Sequence, residues 1–125
     1  KINTINFNFE TESIETIQVK PNSVVISSFG LHYIRKFDET FLENLIKNGF
    51  NAGIHFEPCS DLLITLEDSL YAKLALKYSK QNNYTLNIAN TFKKCAKKGL
   101  IKLKIDKNVA GFGLLPGWLI EWERI

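Results

Sequence analysis

The chain has 125 residues, is 45% hydrophobic and 23% charged, and carries a net charge of +3 at pH 7. That length and composition fit one globular domain, or one with a small appendage, and exclude wholesale disorder. No apolar run approaches the ~18 residues of a membrane-spanning helix, and no basic-then-apolar leader is visible, so a cytoplasmic protein is expected. Two cysteines, Cys59 and Cys95, and two histidines, His32 and His55, supply neither a disulfide framework nor a zinc-ligand set. Free thiols in a reducing compartment fit best, and no metal or cofactor is expected.

The charge is unevenly spread. Residues 1–72 sum to −5, residues 73–107 hold ten lysines against the single acid Asp106 and sum to +9, and residues 108–125 sum to −1. A stretch this basic attracts polyanions such as nucleic acid. The simpler alternative is a solvated lysine face.

Residues 2–10, 15–19 and 23–28 read as strands, the last β-branched at Val24-Val25-Ile26 and preceded by a Pro21-Asn22 turn. Residues 1–35 are therefore expected to form a small β-rich N-terminal subdomain, with a second domain over 36–125. The first helix is expected over 38–48. Phe37, Phe41 and Leu45, with Leu42 and Ile46, recur every four residues, Asp38 and Glu39 favour its start, and Asn48-Gly49 stops it. Strands are expected near 52–57 and over 62–66. Segment 70–78 fits both a strand and a helix. The alternation of Leu70, Ala72, Leu74, Leu76 and Tyr78 favours a strand that follows a tight turn at Glu67-Asp68-Ser69. Thr85 is the expected cap of a helix running to Lys97, with Ile88, Ala89, Phe92, Cys95 and Ala96 inward and Lys93, Lys94, Lys97 and Lys98 outward. Strands over 101–105 and 118–123 follow, separated by a glycine-rich loop over 107–117. The order is that of an α+β protein with a three-layer, α/β/α-like arrangement.

His55, Glu57 and Cys59 would share one face of a short strand, and such a set is a candidate nucleophile-and-base pair for a small hydrolase or nuclease. The simpler reading is a half-buried strand with these polar residues outward. Asp61, Glu67 and Asp106 lie near lysines, but the spacing of a metal nuclease is absent. No P-loop, GxSxG, HExxH or GxGxxG is present. Residues 85–107 also read as a winged helix, a DNA-binding arrangement that suits the lysines. That reading requires a helix at 69–80.

Taken in order, "FLENLIKNGF", "CSDLLITL", "DSLYAKLAL", "CAKKGLIKLKID" and "GWLIEWERI" resemble successive elements of the C-terminal nuclease domain of archaeal-type tRNA-splicing endonucleases. The likeness covers residues 38–125. It implies a mixed-sheet endonuclease-like domain and metal-independent cleavage of precursor tRNA. The family's Tyr-His-Lys positions fall on Thr65, Asp68 and Lys98, and Lys98 alone is retained. The resemblance therefore implies a non-catalytic structural subunit, partnered by a catalytic paralogue in a hetero-oligomer, most simply α2β2. It also implies subunit contacts through Trp118, Leu119, Ile120 and Trp122 of the last strand. Further contacts would come from Asp106, Phe112, Leu114 and Leu115 in and beside the loop that follows the closing aspartate. Lys93, Lys94, Lys97 and Lys98 are the candidate RNA contacts. A strand over 70–78 supports this reading; a helix there supports DNA binding.

Overall fold

The structure, a computed structural model, describes residues 6–64 and 69–125, apart from the side chains of residues 107–112. Four strands, β1 (Ser23–Ser28), β2 (Phe50–Pro58), β3 (Ile101–Phe112) and β4 (Leu115–Arg124), form one mixed sheet in the order β1-β2-β4-β3. The helices are α1 (Glu39–Lys47), the short α2 (Ser60–Leu63), α3 (Leu70–Gln81) and α4 (Ile88–Lys97). Strand β1 pairs in parallel with β2 after the chain crosses through α1, and β4 pairs antiparallel with both β2 and β3.

Helix α1 starts and stops on its local signals. The Asp38 carboxylate accepts from the Thr40 amide at 2.9 Å, and Gly49, at a φ of +106°, turns the chain into β2. Among the described residues no separate N-terminal sheet is present, and residues 2–5 of the first expected strand lie outside them. Residues 6–8 are irregular, residues 14–16 make one 3₁₀ turn, and β1 joins the common sheet as an edge strand. The Asn48 side chain ties the N-terminal segment to α1, donating to the Ile14 and Ile17 carbonyls at 2.9 Å each.

Three further expectations are corrected. The first is the strand over 62–66: its first two residues lie in and at the end of the short helix α2, while Thr65 and Leu66 lie outside the described residues. The second is the strand over 70–78, which is helix α3. Ser69 caps it by accepting from the Ala72 amide, and Ala72, Ala75 and Ser79 form its buried stripe. The large side chains Leu70, Tyr71 and Leu74 are exposed while Ala72, Ala75 and Ser79, at helical spacing, face the core, so the small residues and not the large ones mark the buried period. The third is the three-layer arrangement. The packed inner face of the sheet carries Trp118, Ile120 and Trp122 against Leu42 and Leu45 of α1 and Ile88, Phe92 and Cys95 of α4. On the outer face Val24, Ile26 and Ile54 are 50%, 73% and 41% exposed. Among the described residues the sheet is packed on one face, and the solvated outer face includes the exposed residues of the parallel edge strand β1.

The expected loop over 107–117 is mostly strand. β3 continues to Phe112 and β4 begins at Leu115, so Gly113 and Leu114 alone make the turn, with Gly113 at a φ of +55°. The Tyr71 hydroxyl of α3 donates to the Gly113 carbonyl at 2.9 Å.

Gly53 of β2 pairs with Trp122 of β4 and Val25 of β1. A Cβ at this position would lie 2.7 Å from His55 Nε2 and closer still to the Trp122 indole. Overpacking of this kind costs about 1–3 kcal/mol. Gly53→Ala is expected to lower the unfolding free energy by about 3 kcal/mol, read from urea denaturation; an unchanged midpoint would show that the indole moves aside freely.

Candidate nucleic-acid interface

Helix α4 is strongly amphipathic. Ile88, Ala89, Thr91, Phe92 and Cys95 are buried, and Asn90, Lys93, Lys94, Lys97 and Lys98 are exposed on the opposite face. Its N-terminus is not capped by Thr85 as expected. Asn87 is the cap residue, and the acceptor is supplied from a distance by Asp61 of α2, which takes the Ala89 amide at 3.3 Å and the Asn90 amide at 2.6 Å. A carboxylate there satisfies free helix amides and complements the helix dipole. Burial still outweighs these bonds and holds the Asp61 carboxyl above its usual range. The Thr85 hydroxyl instead donates to the Ile34 carbonyl.

The four lysines are not equivalent. Lys98 Nζ lies 3.4 Å from Glu43 and 3.7 Å from Glu39 of α1, and Lys94 Nζ lies 4.0 Å from Glu39. Lys93 and Lys97 make no ion pair among the described residues. The acids at 39 and 43 and the lysines at 94 and 98 share a four-residue spacing, which places each pair on one face of its own helix; the pairing between the helices is a product of the fold.

His55 and Glu57 share a face of β2, but it is the inner one; Cys59 lies beyond the end of the strand, at the start of α2, and all three are fully buried. The Trp122 Nε1–H donates to His55 Nε2 at 2.9 Å. Because indole can only donate, the neutral ring keeps its proton on Nδ1, which faces Ser27 Oγ at 2.8 Å. Ser27 then donates to Glu57 Oε1, also at 2.8 Å. Glu57 further accepts from the Gly30 amide at 3.0 Å, and His32 Nδ1 stands 3.4 Å from its other oxygen. Burial would raise the Glu57 carboxyl, but the bonds from His32, Gly30, Leu31 and Ser27 outweigh it and hold the group below its usual value. Burial, with Asp61 and Glu57 nearby, pushes the Cys59 thiol far up. A protonated thiol and a sealed imidazole offer a substrate no nucleophile and no base. The cluster holds the sheet together.

The expected last-strand interface is also corrected. β4 lies between β2 and β3 and has no free edge. Trp118, Ile120 and Trp122 are core residues. Leu119 faces the outer side of the sheet, between Phe56 and Asp106. Asp106 pairs with Lys104 at 2.7 Å, Leu114 and Leu115 are half-buried, and the Phe112 side chain lies outside the described residues. So do Thr65 and Asp68; Lys98 is exposed and tied to α1. Helix α3 stands where the splicing-endonuclease resemblance needs a strand.

Among the described residues no group of three or more His, Cys, Asp or Glu side chains is placed to hold a metal ion, and no helix is long and apolar enough to cross a membrane. No protein-family model, curated protein or solved structure matches the chain.

Burial lowers the His55 pKa from 6.5 to about 4, against a smaller raising effect of Glu57. A neutral His55 therefore contributes stability that is whole above pH 6.5 and is lost as pH falls through about 4. At 1.36 kcal/mol per unit the loss is about 3 kcal/mol. Glu57 acts in the same direction only below its ordinary 4.5, and Asp61 acts in the opposite direction. The difference between wild type and His55→Gln isolates the histidine. Denaturation curves from pH 7 to 4.5 should show the wild type losing about 2–3 kcal/mol more than the variant; parallel curves would mean the imidazole protonates without cost.

Proposed function

We propose that the chain is a winged-helix-like DNA-binding module. The observation that carries this reading is helix α3. Followed by residues 82–87, α4 and the β3–β4 hairpin of the common sheet, it supplies the element order that a helix-turn-helix with a following β-hairpin requires. In such modules the second helix enters the major groove, and its N-terminal residues face base edges. Here that helix is α4. Asn90 is the exposed amide of its first turn, a side-chain type that reads adenine. Lys93 and Lys97, four residues apart and in no ion pair among the described residues, are the phosphate contacts. Lys94 and Lys98 must first leave Glu39 and Glu43, so they contribute less.

The test is binding to a duplex of about 20 base pairs, followed by fluorescence anisotropy across a salt series. Lys93→Gln combined with Lys97→Gln is expected to reduce the slope of log K against log salt by about 1.8, or about 0.9 per lost phosphate contact. Failure of the wild-type chain to bind duplex DNA even at about 50 mM salt would overturn the reading, since nonspecific phosphate binding is strongest there.

A further inference from the structure

An open cleft of about 620 Å³ lies beside the turn between α3 and α4, lined in part by Arg35, Lys80, Asn83, Tyr84 and Asn87. None of its lining residues is acidic. Its two cations come from separate elements: Arg35 precedes α1, and Lys80 sits in the last turn of α3. We propose that this cleft is a second anion site, which grips a backbone phosphate of the DNA strand lying along α4. The proposal rests on the DNA-binding reading above and adds to it a site outside the lysine-rich segment.

Three observations support a phosphate as the ligand. The guanidinium fork of arginine matches phosphate oxygens two at a time, and the lysine adds a point charge. Asn87 Nδ2 donates to the Phe37 carbonyl at 3.2 Å, and the Asn83 backbone amide donates to the Lys80 carbonyl at 3.2 Å, whereas the Asn83 side-chain amide makes no hydrogen bond among the described residues and can donate into the cleft. The Arg35 side chain is 78% exposed, which suits a backbone laid over the surface better than an enclosed small molecule. Arg35 Nε does stand 3.5 Å from Glu10 Oε1, but the Arg35 side chain is 78% and the Glu10 side chain 48% exposed, and such a surface pair adds little stability.

The placement fits a continuous track. Asn87 and Lys97 lie at opposite ends of α4 on its exposed side. Ten residues of helix span about 15 Å, close to four base-pair steps of duplex. A strand held at the cleft thus reaches Lys93 and Lys97 without leaving the surface.

The experiment uses the full chain and the same duplex. Arg35→Gln combined with Lys80→Gln removes the one phosphate contact of the cleft, should reduce the salt slope by about 0.9 and should add to the effect of the Lys93→Gln and Lys97→Gln pair. Lys20→Gln, which removes a lysine preceding β1 and outside the cleft lining, should leave the slope within about 0.3 of wild type. Glu10→Gln, which frees Arg35, should tighten binding about twofold to threefold. Asn83→Asp sets a carboxylate in the cleft and should weaken binding about tenfold. If the wild type binds duplex while the Arg35 and Lys80 pair leaves the slope unchanged and Asn83→Asp binds normally, the cleft is not a phosphate site and the α4 reading stands alone. If the wild type binds no duplex, the underlying reading fails and the cleft assignment fails with it.

Discussion

Glu57 is a carboxylate with no access to water, and the architecture of the sheet follows from satisfying it. An isolated buried charge is very costly, so its donors must come from the protein. They come from three segments: the Ser27 hydroxyl of β1, the Gly30 amide, and His32 of the 3₁₀ turn that follows. Through Ser27 the same network reaches His55, and through His55 it reaches Trp122 on β4. Edge strand, central strands and connecting turn are thus joined by one directional chain of hydrogen bonds. Parallel pairing is slightly less stable per residue than antiparallel pairing. The register that sets Ser27 opposite His55 is the one that places its hydroxyl between imidazole and carboxylate. The relay gives a physical reason why β1 belongs to the common sheet rather than to a subdomain of its own.

A second constraint shapes the basic face. Helix α4 receives a carboxylate at its N-terminus from Asp61 and carries its lysines toward its C-terminus, so both ends agree with the helix dipole. Helix α1 crosses beside it with Glu39 and Glu43 aimed at Lys94 and Lys98. The exposed pairs add little stability, but they divide the lysines into a neutralised row and a free row. The proposed DNA contacts fall on the free row, and the cleft at the other end of the helix repeats the pattern with cations from outside α4.

Local sequence determined the elements whose signals do not depend on a neighbour. The boundaries of α1 follow from Asp38 and Gly49. The buried and lysine-bearing faces of α4 follow from one helical period, and the beginning of β3 from the alternation of Ile101, Leu103 and Ile105 with lysines. Tertiary structure decided the remainder, for identifiable reasons. Segment 70–81 satisfies two periods at once, and it becomes a helix because Ala72, Ala75 and Ser79 let it pack closely, with Ser60 donating to Ser79 at 3.1 Å. His55 and Glu57 read as outward polar residues because their partners, Ser27 and Trp122, are 28 and 67 residues from His55 in the chain. The aromatic strand 118–122 read as an interface because its place between β2 and β3 is a property of the sheet and not of the strand. Where a side chain's partner lies within one turn of helix or one strand repeat, sequence spacing records the contact. Where the partner arrives by folding, only the folded chain shows whether a polar group is solvated or sealed.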